Sequence, residues 1–455
     1  MSDPVTVEVL TADVADVAQR RAAGALRTAG LVPGDRVAFC LTSSAALLCA
    51  VLGAVRTGVV PVLLNATLTE GERDQLIDDC QPRMVVTDND RLASLDSGSP
   101  VGLAPYPLAR PMHYTSGTTG RAKGVWSGAW DPATAEAAFS DEADLWSFGP
   151  DDVHLVCSPM YHSVSIRFAG GTLLRGGSCV ILSRFDAGPA LEALSGAGGP
   201  VPTTTFTAPA ALSRLLDQAG EGTEALAALR LLVHAGSPCP PALKRRALQA
   251  VGPGVLWEFY GSTEGQFTVC RSDEWLARPG TVGQARSGRI LSVDDDGTIW
   301  CRAPRFARFS YWRDEDKTAA AWRKGSFTVG DLGRIDADGY LFLDGRRDDL
   351  IISGGVNVYP AEVEGVLSEV PGVSELAVFG LPDDRWGQRV CAAVVPTAPA
   401  GREMGPQLIE AVRARAATGL AGYKRPKEYV VLGQLPRTAT GKVQRNLIPG
   451  LVGRT

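Results

Sequence analysis

Arg36-Val37-Ala38-Phe39-Cys40-Leu41, then Ala45 to Thr57, then Val59-Val60-Pro61-Val62-Leu63-Leu64 read as a short apolar strand, an apolar helix and a second apolar strand in immediate succession. Strands this apolar are stable only when buried on both faces, so the βαβ order predicts a parallel sheet covered by helices. Upstream, Val14 to Ala29 is an Ala/Arg-rich amphipathic helix ending at Gly30. The same rhythm returns at His154 to Cys157, Ser178 to Leu182, Leu231 to His234 and Val255 to Phe259. Between them, Ala187 to Pro202 reads as a Gly/Ala/Pro-rich connection with no element of its own.

The pattern changes after about residue 285. Arg289 to Val293, Thr298 to Cys301 and Tyr340 to Leu343 are separated by Asp-Asp-Gly and Ala-Asp-Gly turns, the signature of antiparallel hairpins. Beyond Gly345-Arg346-Arg347-Asp348 follow a helix at Ala361 to Glu369, strands at Leu376 to Phe379 and Val390 to Val395, a helix at Pro406 to Ala417 and a strand at Glu428 to Leu432. The expected fold is α/β, with a large N-terminal domain over 1–346 of mainly parallel sheets covered by helices. It includes a β-rich subdomain over about 285–346 and is followed by a small α+β C-terminal domain over 347–455.

Composition narrows the function. The 455 residues, 45% of them apolar, suffice for large cores and about three structural units. A balance of 45 Lys plus Arg against 50 Asp plus Glu leaves a net charge of −5, so no cationic excess is available for a nucleic-acid backbone. The N-terminus lacks the charged start and apolar core of a signal peptide, and no apolar run reaches the roughly 18 residues of a membrane span. A soluble cytoplasmic protein is expected. Nine cysteines without a C-x-x-C pair suit reduced, buried thiols, and four scattered histidines suggest no metal cluster.

The chemistry concentrates in Tyr114-Thr115-Ser116-Gly117-Thr118-Thr119-Gly120-Arg121-Ala122-Lys123-Gly124. Glycines allow tight turns, hydroxyls and N–H groups donate to phosphate oxygens, and Lys123 adds a cation. The spacing is not that of a Walker A loop. The segment resembles the phosphate-binding signature of the adenylate-forming superfamily, which includes acyl-CoA synthetases, luciferases and adenylation domains. Further motifs of that family follow in order: Pro159-Met160-Tyr161-His162-Ser163, His234-Ala235-Gly236-Ser237-Pro238, Tyr260-Gly261-Ser262-Thr263-Glu264-Gly265, Gly330-Asp331 and Pro436 to Lys442. Ala122 stands where the family has Pro, Val329 where it has Thr, and the N-terminal region is shorter than the family pattern.

The resemblance implies a carboxylic acid substrate, ATP and Mg²⁺, with coenzyme A as acceptor. Lys442 would bridge the carboxylate and the α-phosphate, Lys123 would face phosphate, and Glu264 would ligate Mg²⁺. Thr115, Ser116, Gly117, Thr118, Thr119, Gly120 and Thr263 would hold phosphates, and Ala235, Gly236, Ser237, Tyr260 and Gly261 would surround adenine. Asp331 and Arg346 would meet the ribose, and Asp348 would be the hinge of a mobile C-terminal domain. Ile351 to Pro360, Asp384 to Gln388 and Tyr423 to Lys427 are most similar to benzoate and chlorobenzoate CoA ligases. That assigns Gly354, Gly355, Trp386, Tyr423, Arg425 and Lys427 to coenzyme A.

His162 would lie between the acyl pocket and the thiol tunnel, and proximity to the motifs puts Val164, Ser165, Phe206, Ala208 and Gln266 in the pocket wall. Arg167 interrupts the apolar run Val164 to Ala169 and is expected to snorkel to solvent, the other possibility being an anionic or polar substituent of the substrate. A small aryl or modest acyl acid fits this mix of residues. Transfer to a carrier protein, or a non-catalytic nucleotide-binding role, are the competing readings. Neither nucleic acid nor membrane is an expected partner, and the chain could be a monomer or a homodimer.

Overall fold

The computed structural model of the protein describes residues 4–115, 122–220, 222–353, 356–397, 404–437 and 443–452. Two compact units emerge, one of 1–291 with 301–327 and the other of 292–300 with 328–455.

In the first unit, Arg36–Phe39 pairs in parallel with Val60–Leu63 and Met84–Val86, and Val60–Leu63 with Met112–Thr115. The connecting helix Ala45–Val55 begins at Ser44, whose side chain accepts from the Leu47 amide, and buries every residue from Leu47 to Val55. Such all-round burial explains why this helix is apolar on every face. A second sheet carries the strands Ser178–Leu182, Val153–Val156, Thr204–Thr207, Leu231–His234 and Leu256–Gly261 in that order, all parallel. The edge strand Val7–Thr11 runs antiparallel to Ser178–Leu182, and Gln266–Arg271 and Thr281–Ala285 extend the other side antiparallel. The α/β class and the predominance of parallel pairing match the sequence expectation.

One connection differs. Ala187–Leu194, expected to be irregular, is a helix: the Asp186 side chain caps it at the Gly188 amide, and Ala190, Ala193 and Leu194 enter the core. Burial of that apolar face outweighs the weak helix preference of Gly188 and Pro189, the proline lying in the first turn where its missing N–H costs little. Among the cysteines all nine are free and seven are buried, as expected of reduced core thiols.

The second unit pairs Asp331–Ile335 antiparallel with Tyr340–Arg346. Its main sheet joins Ile351–Ser353, Val356–Val358, Val373–Asp383 and Gly387–Pro396, with Glu428–Val431 parallel to Gly387–Pro396. Helices Pro360–Leu367 and Met404–Gly419 contribute Val363, Leu367, Val412 and Ala416 to its core. Arg445 links Asp349 and Glu364, at 3.0 and 2.7 Å. Among the described residues no helix is long and apolar enough to cross a membrane.

Three buried histidines make stability depend on pH. Burial lowers His113 and His154 to about 3 and His234 to about 4, against 6.5 when unfolded. Their contribution is complete above pH 6.5 and erodes as pH falls towards those folded values, because the unfolded chain binds protons that the folded one does not. Between pH 6.5 and 5.5 the loss is about 1 kcal/mol each, on the order of 3 kcal/mol together. Denaturant titrations at the two pH values should show it. Equal midpoints and slopes would mean that the rings are protonated in the fold.

Candidate active site

The turn that carries Glu264 is forced by its glycines. Strands Leu256–Gly261 and Gln266–Arg271 are antiparallel, pair Gly261 with Gln266 and close through a Ser262 N–H to Gly265 carbonyl bond of 2.8 Å. A Cβ at Gly261 would stand 2.7 Å from the Gly265 oxygen and 2.8 Å from the Gln266 Cα, so no side chain fits there. The turn holds the Glu264 carboxylate buried, where its Oε1 accepts from the Tyr311 hydroxyl at 2.9 Å.

Tyr311 connects two residues named from sequence. Its strand Ser310–Tyr311 lies antiparallel to Lys123–Trp126, and the Lys123 ammonium sits 5.2 Å from the Tyr311 ring centroid. Lys123 itself pairs with Thr115 across the hairpin of Met112–Thr115 and Lys123–Trp126. Phosphate-loop lysine, tyrosine and buried carboxylate therefore form one chain of contacts. Ser116, Gly117, Thr118, Thr119 and Gly120 lie outside the described residues, as do Gly354, Gly355 and Lys442.

The other assigned positions are distributed as follows. Ala235 is buried, Ser237 is exposed, and Gly236 between them has a φ of 95°, a conformation that suits glycine. Tyr260 is buried and packs at a tilt against Phe267 with centroids 4.8 Å apart. Arg110 donates to the Thr263 carbonyl at 3.2 Å. In the second unit Asp331 and Arg346 pair with each other across their hairpin, Nε to Oδ1 at 3.0 Å. Asp348 lies in the 3₁₀ turn Arg347–Asp349. Trp386 and Tyr423 are exposed aromatics, Arg425 donates to the Leu420 carbonyl and Lys427 to the Gly422 carbonyl.

A cavity of about 160 Å³ opens beside the Glu264 turn, with Gly265 and Gln266 in its wall. Of the residues expected in that wall, Gln266 lines it. Val164 and Phe206 instead join an aromatic core with Phe168 and Phe259, and the Ser165 hydroxyl donates to the Pro159 carbonyl at 2.9 Å. Ala208 precedes the helix Pro209–Ala219 at its N-cap. His162 occupies the N-cap of the helix Ser163–Leu174, its ring 4.6 Å from that of Tyr161. Neighbouring Ser163 and Ile166 reach the cavity.

Arg167 does not snorkel. It lines the cavity with its Nε 3.7 Å from Glu142 Oε1 and its guanidinium over the Phe259 ring, since the helix face bearing it packs inwards. Sequence reading missed the rest of this charged layer. Asp141 and Glu142, from the helix Pro132–Trp146, face Arg286 and Arg289 from the loop after Thr281–Ala285. Asp141 takes both Arg289 nitrogens at 2.6 and 2.9 Å and Arg286 at 2.8 Å, and Glu142 takes Arg286 at 3.1 Å. Burial acts to raise the Glu142 pKa, but Arg167 and Arg286 outweigh it and hold the carboxyl at about 2. The only signal in the sequence was that these charges interrupt otherwise apolar or small-residue runs.

The match to known families follows this geometry. Residues 9–104 and 111–308 match the AMP-binding enzyme family, and 362–442 match the AMP-binding enzyme C-terminal domain. The chain belongs to the AMP-binding enzyme family. It is 31% identical over 95% of its length, and 91% of the relative's, to indoleacetate–CoA ligase of Aromatoleum aromaticum. The o-succinylbenzoate coenzyme A synthetase of Bacillus subtilis, solved with ATP and magnesium ion, is similar with a TM-score of 0.81 at 26% identity, covering 96% of this chain and 94% of that one. The amide bond synthetase McbA of Marinactinospora thermotolerans is similar with a TM-score of 0.80 at 27% identity, covering 97% and 94%.

For this AMP-binding enzyme, Glu264 meets the requirements of a Mg²⁺ ligand. It is a buried, hard oxygen donor oriented by Tyr311, and one carboxylate suffices for an ion that fills its shell with water and phosphate oxygens. Among the described residues no group of three His, Cys, Asp or Glu could hold a metal ion without such help.

Proposed function

We propose that this AMP-binding enzyme is an acid:CoA ligase that converts a carboxylic acid and ATP to an acyl-adenylate and pyrophosphate, then transfers the acyl group to the thiol of coenzyme A. The observation that carries this reading is the adjacency of the Glu264 turn to the cavity, through Gly265 and Gln266. An acid held in that cavity presents its carboxylate beside the residues that receive the triphosphate. Bound Mg²⁺ supplies charge neutralisation to the phosphates. Glu264 holds that charge in place, Lys123 meets a phosphate, and Tyr311 contacts both side chains, so donors and cations are set before the anions meet. Lys442 bridges carboxylate and α-phosphate on the strength of its motif. His162 separates cavity from thiol, and Trp386, Tyr423, Arg425 and Lys427, with Gly354 and Gly355, receive the coenzyme A arm after rotation about Asp348.

The likeness to an amide bond synthetase supports a second reading in which the acceptor is an amine, and that to a fatty acid–acyl-carrier-protein ligase one in which it is a carrier-bound thiol, each with the same first half-reaction. Pyrophosphate release from ATP–Mg²⁺ should be measured over aryl, short-chain and medium-chain acids, with and without coenzyme A, against Lys442→Ala. Turnover that requires an acid, coenzyme A and Lys442 supports the ligase. A single burst that coenzyme A does not accelerate transfers the reading to another acceptor, and ATP binding without release from any acid argues against activation altogether.

A further inference from the structure

The cavity is lined by more positive charge than its acids neutralise. Arg110, Arg167, Arg286 and Arg289 face two carboxylates, Asp141 and Glu142, and these are already shared among Arg167, Arg286 and Arg289. Four cations against two anions leave an excess of two, or of one if Glu264 is counted and not committed to Mg²⁺. Arg110 takes no carboxylate of this layer, and its hydrogen bond goes to the Thr263 carbonyl. Burial and the like charge of Arg167 together lower its pKa to about 10, with Glu142 and Glu264 opposing. His113, beside them, is kept neutral by burial.

Further groups in the wall have unmet hydrogen-bonding capacity, among them the Nε atoms of Arg286 and Arg289. Gln266, 5% exposed, has neither its Oε1 nor its Nε2 partnered, and the Arg167 Nε is also without a hydrogen bond. A buried polar group without a partner is costly, more so when charged, so a layer of this kind suits a polar ligand. The remaining wall, with Leu52, Val55, Phe139 and Ile166, is apolar and suits a short carbon skeleton.

We propose that the acid activated by this enzyme is a dicarboxylate whose second carboxylate is held by Arg110 and Arg167, with Gln266 completing its hydrogen bonds. The proposal rests on the ligase reading in placing the acyl group in this cavity. A second carboxylate supplies the missing negative charge and the paired acceptor oxygens that guanidinium groups match. An acid ending in a methyl group would leave Arg110 desolvated and unpaired.

The test compares diacids with monoacids of matched size, adipic against heptanoic acid and terephthalic against 4-methylbenzoic acid. Thermal protection of the protein with ATP–Mg²⁺ is recorded beside pyrophosphate release. Diacids should bind and be activated at least about tenfold better than their partners, the discrimination expected of a charge-assisted contact. Arg110→Met should abolish or reverse that preference, and Arg167→Gln, which leaves Glu142 its Arg286 contact, should weaken it. Comparison of the two acids within the wild-type protein needs no variant to fold. Equal or better binding of monoacids overturns the proposal while any pyrophosphate release keeps the ligase reading intact. Equal loss for both acids in Arg110→Met also overturns it, since Arg110 would then serve the reacting carboxylate. Diacid protection lost in Arg110→Met supports the proposal even where no acid releases pyrophosphate, the result that would count against the ligase reading alone.

Discussion

Glu264→Gln is expected to reduce acid-dependent pyrophosphate release by on the order of a hundredfold or more, the scale of removing one preorganised charge-stabilising group from an active site. The replacement keeps the size of the side chain and an oxygen that can accept from Tyr311, so the turn Ser262 to Gly265 should persist. What disappears is the negative charge that, in the function proposed above, retains Mg²⁺ against water. Raising the magnesium concentration should therefore recover part of the rate in Glu264→Gln and leave the wild type unchanged. Wild-type rates in the variant at low magnesium would remove Glu264 from the metal site. A drop insensitive to magnesium would place its role elsewhere in the reaction.

The largest effect on stability should come from Lys244→Met. Lys244 lies on the helix Pro241–Val251, is 2% exposed, and donates to Glu258 Oε2 at 2.5 Å with the Trp275 ring 4.8 Å away. Removing one partner of a buried ion pair strands the other charge and costs about 3–5 kcal/mol. His234 cannot readily take over, because its Nδ1 is 4.0 Å from Glu258 Oε1 and burial keeps the ring neutral. The double variant Lys244→Met/Glu258→Leu should recover most of the loss, since two apolar groups of similar volume need no charge partner. Denaturant unfolding of the single and double variants checks this. A single variant as stable as the wild type would show that water reaches Glu258.

Much of the fold was legible because it depends on local pattern. Arg36 apart, Arg36–Phe39, Ala45–Val55 and Val60–Leu63 are continuous apolar runs because they pack inside the fold, and their lengths separate strand from helix. The helix Ala187–Leu194 was not legible. Its glycine and proline suggest a loop, and only contact with the core that includes Leu212, Leu216 and Leu232 makes it worthwhile as a helix. Glu264 stood out through the motif Tyr260 to Gly265, whereas its partner Tyr311 carried no signal. That residue reaches the site from a two-residue strand whose pairing with Lys123–Trp126 leaves no periodic signal.

By itself the sequence determined the layers and the class of chemistry, since alternation of apolar runs dictates which elements can bury their faces and an ordered set of motifs dictates which groups can meet a triphosphate. Tertiary structure alone decided that Arg167 turns inwards and that Arg110, Asp141, Glu142, Arg286 and Arg289 converge with it on one cavity. The reason is that charge compensation in a low-dielectric interior is a sum over side chains from segments far apart in the chain. No local window of sequence contains that sum, and the fold brings its parts together.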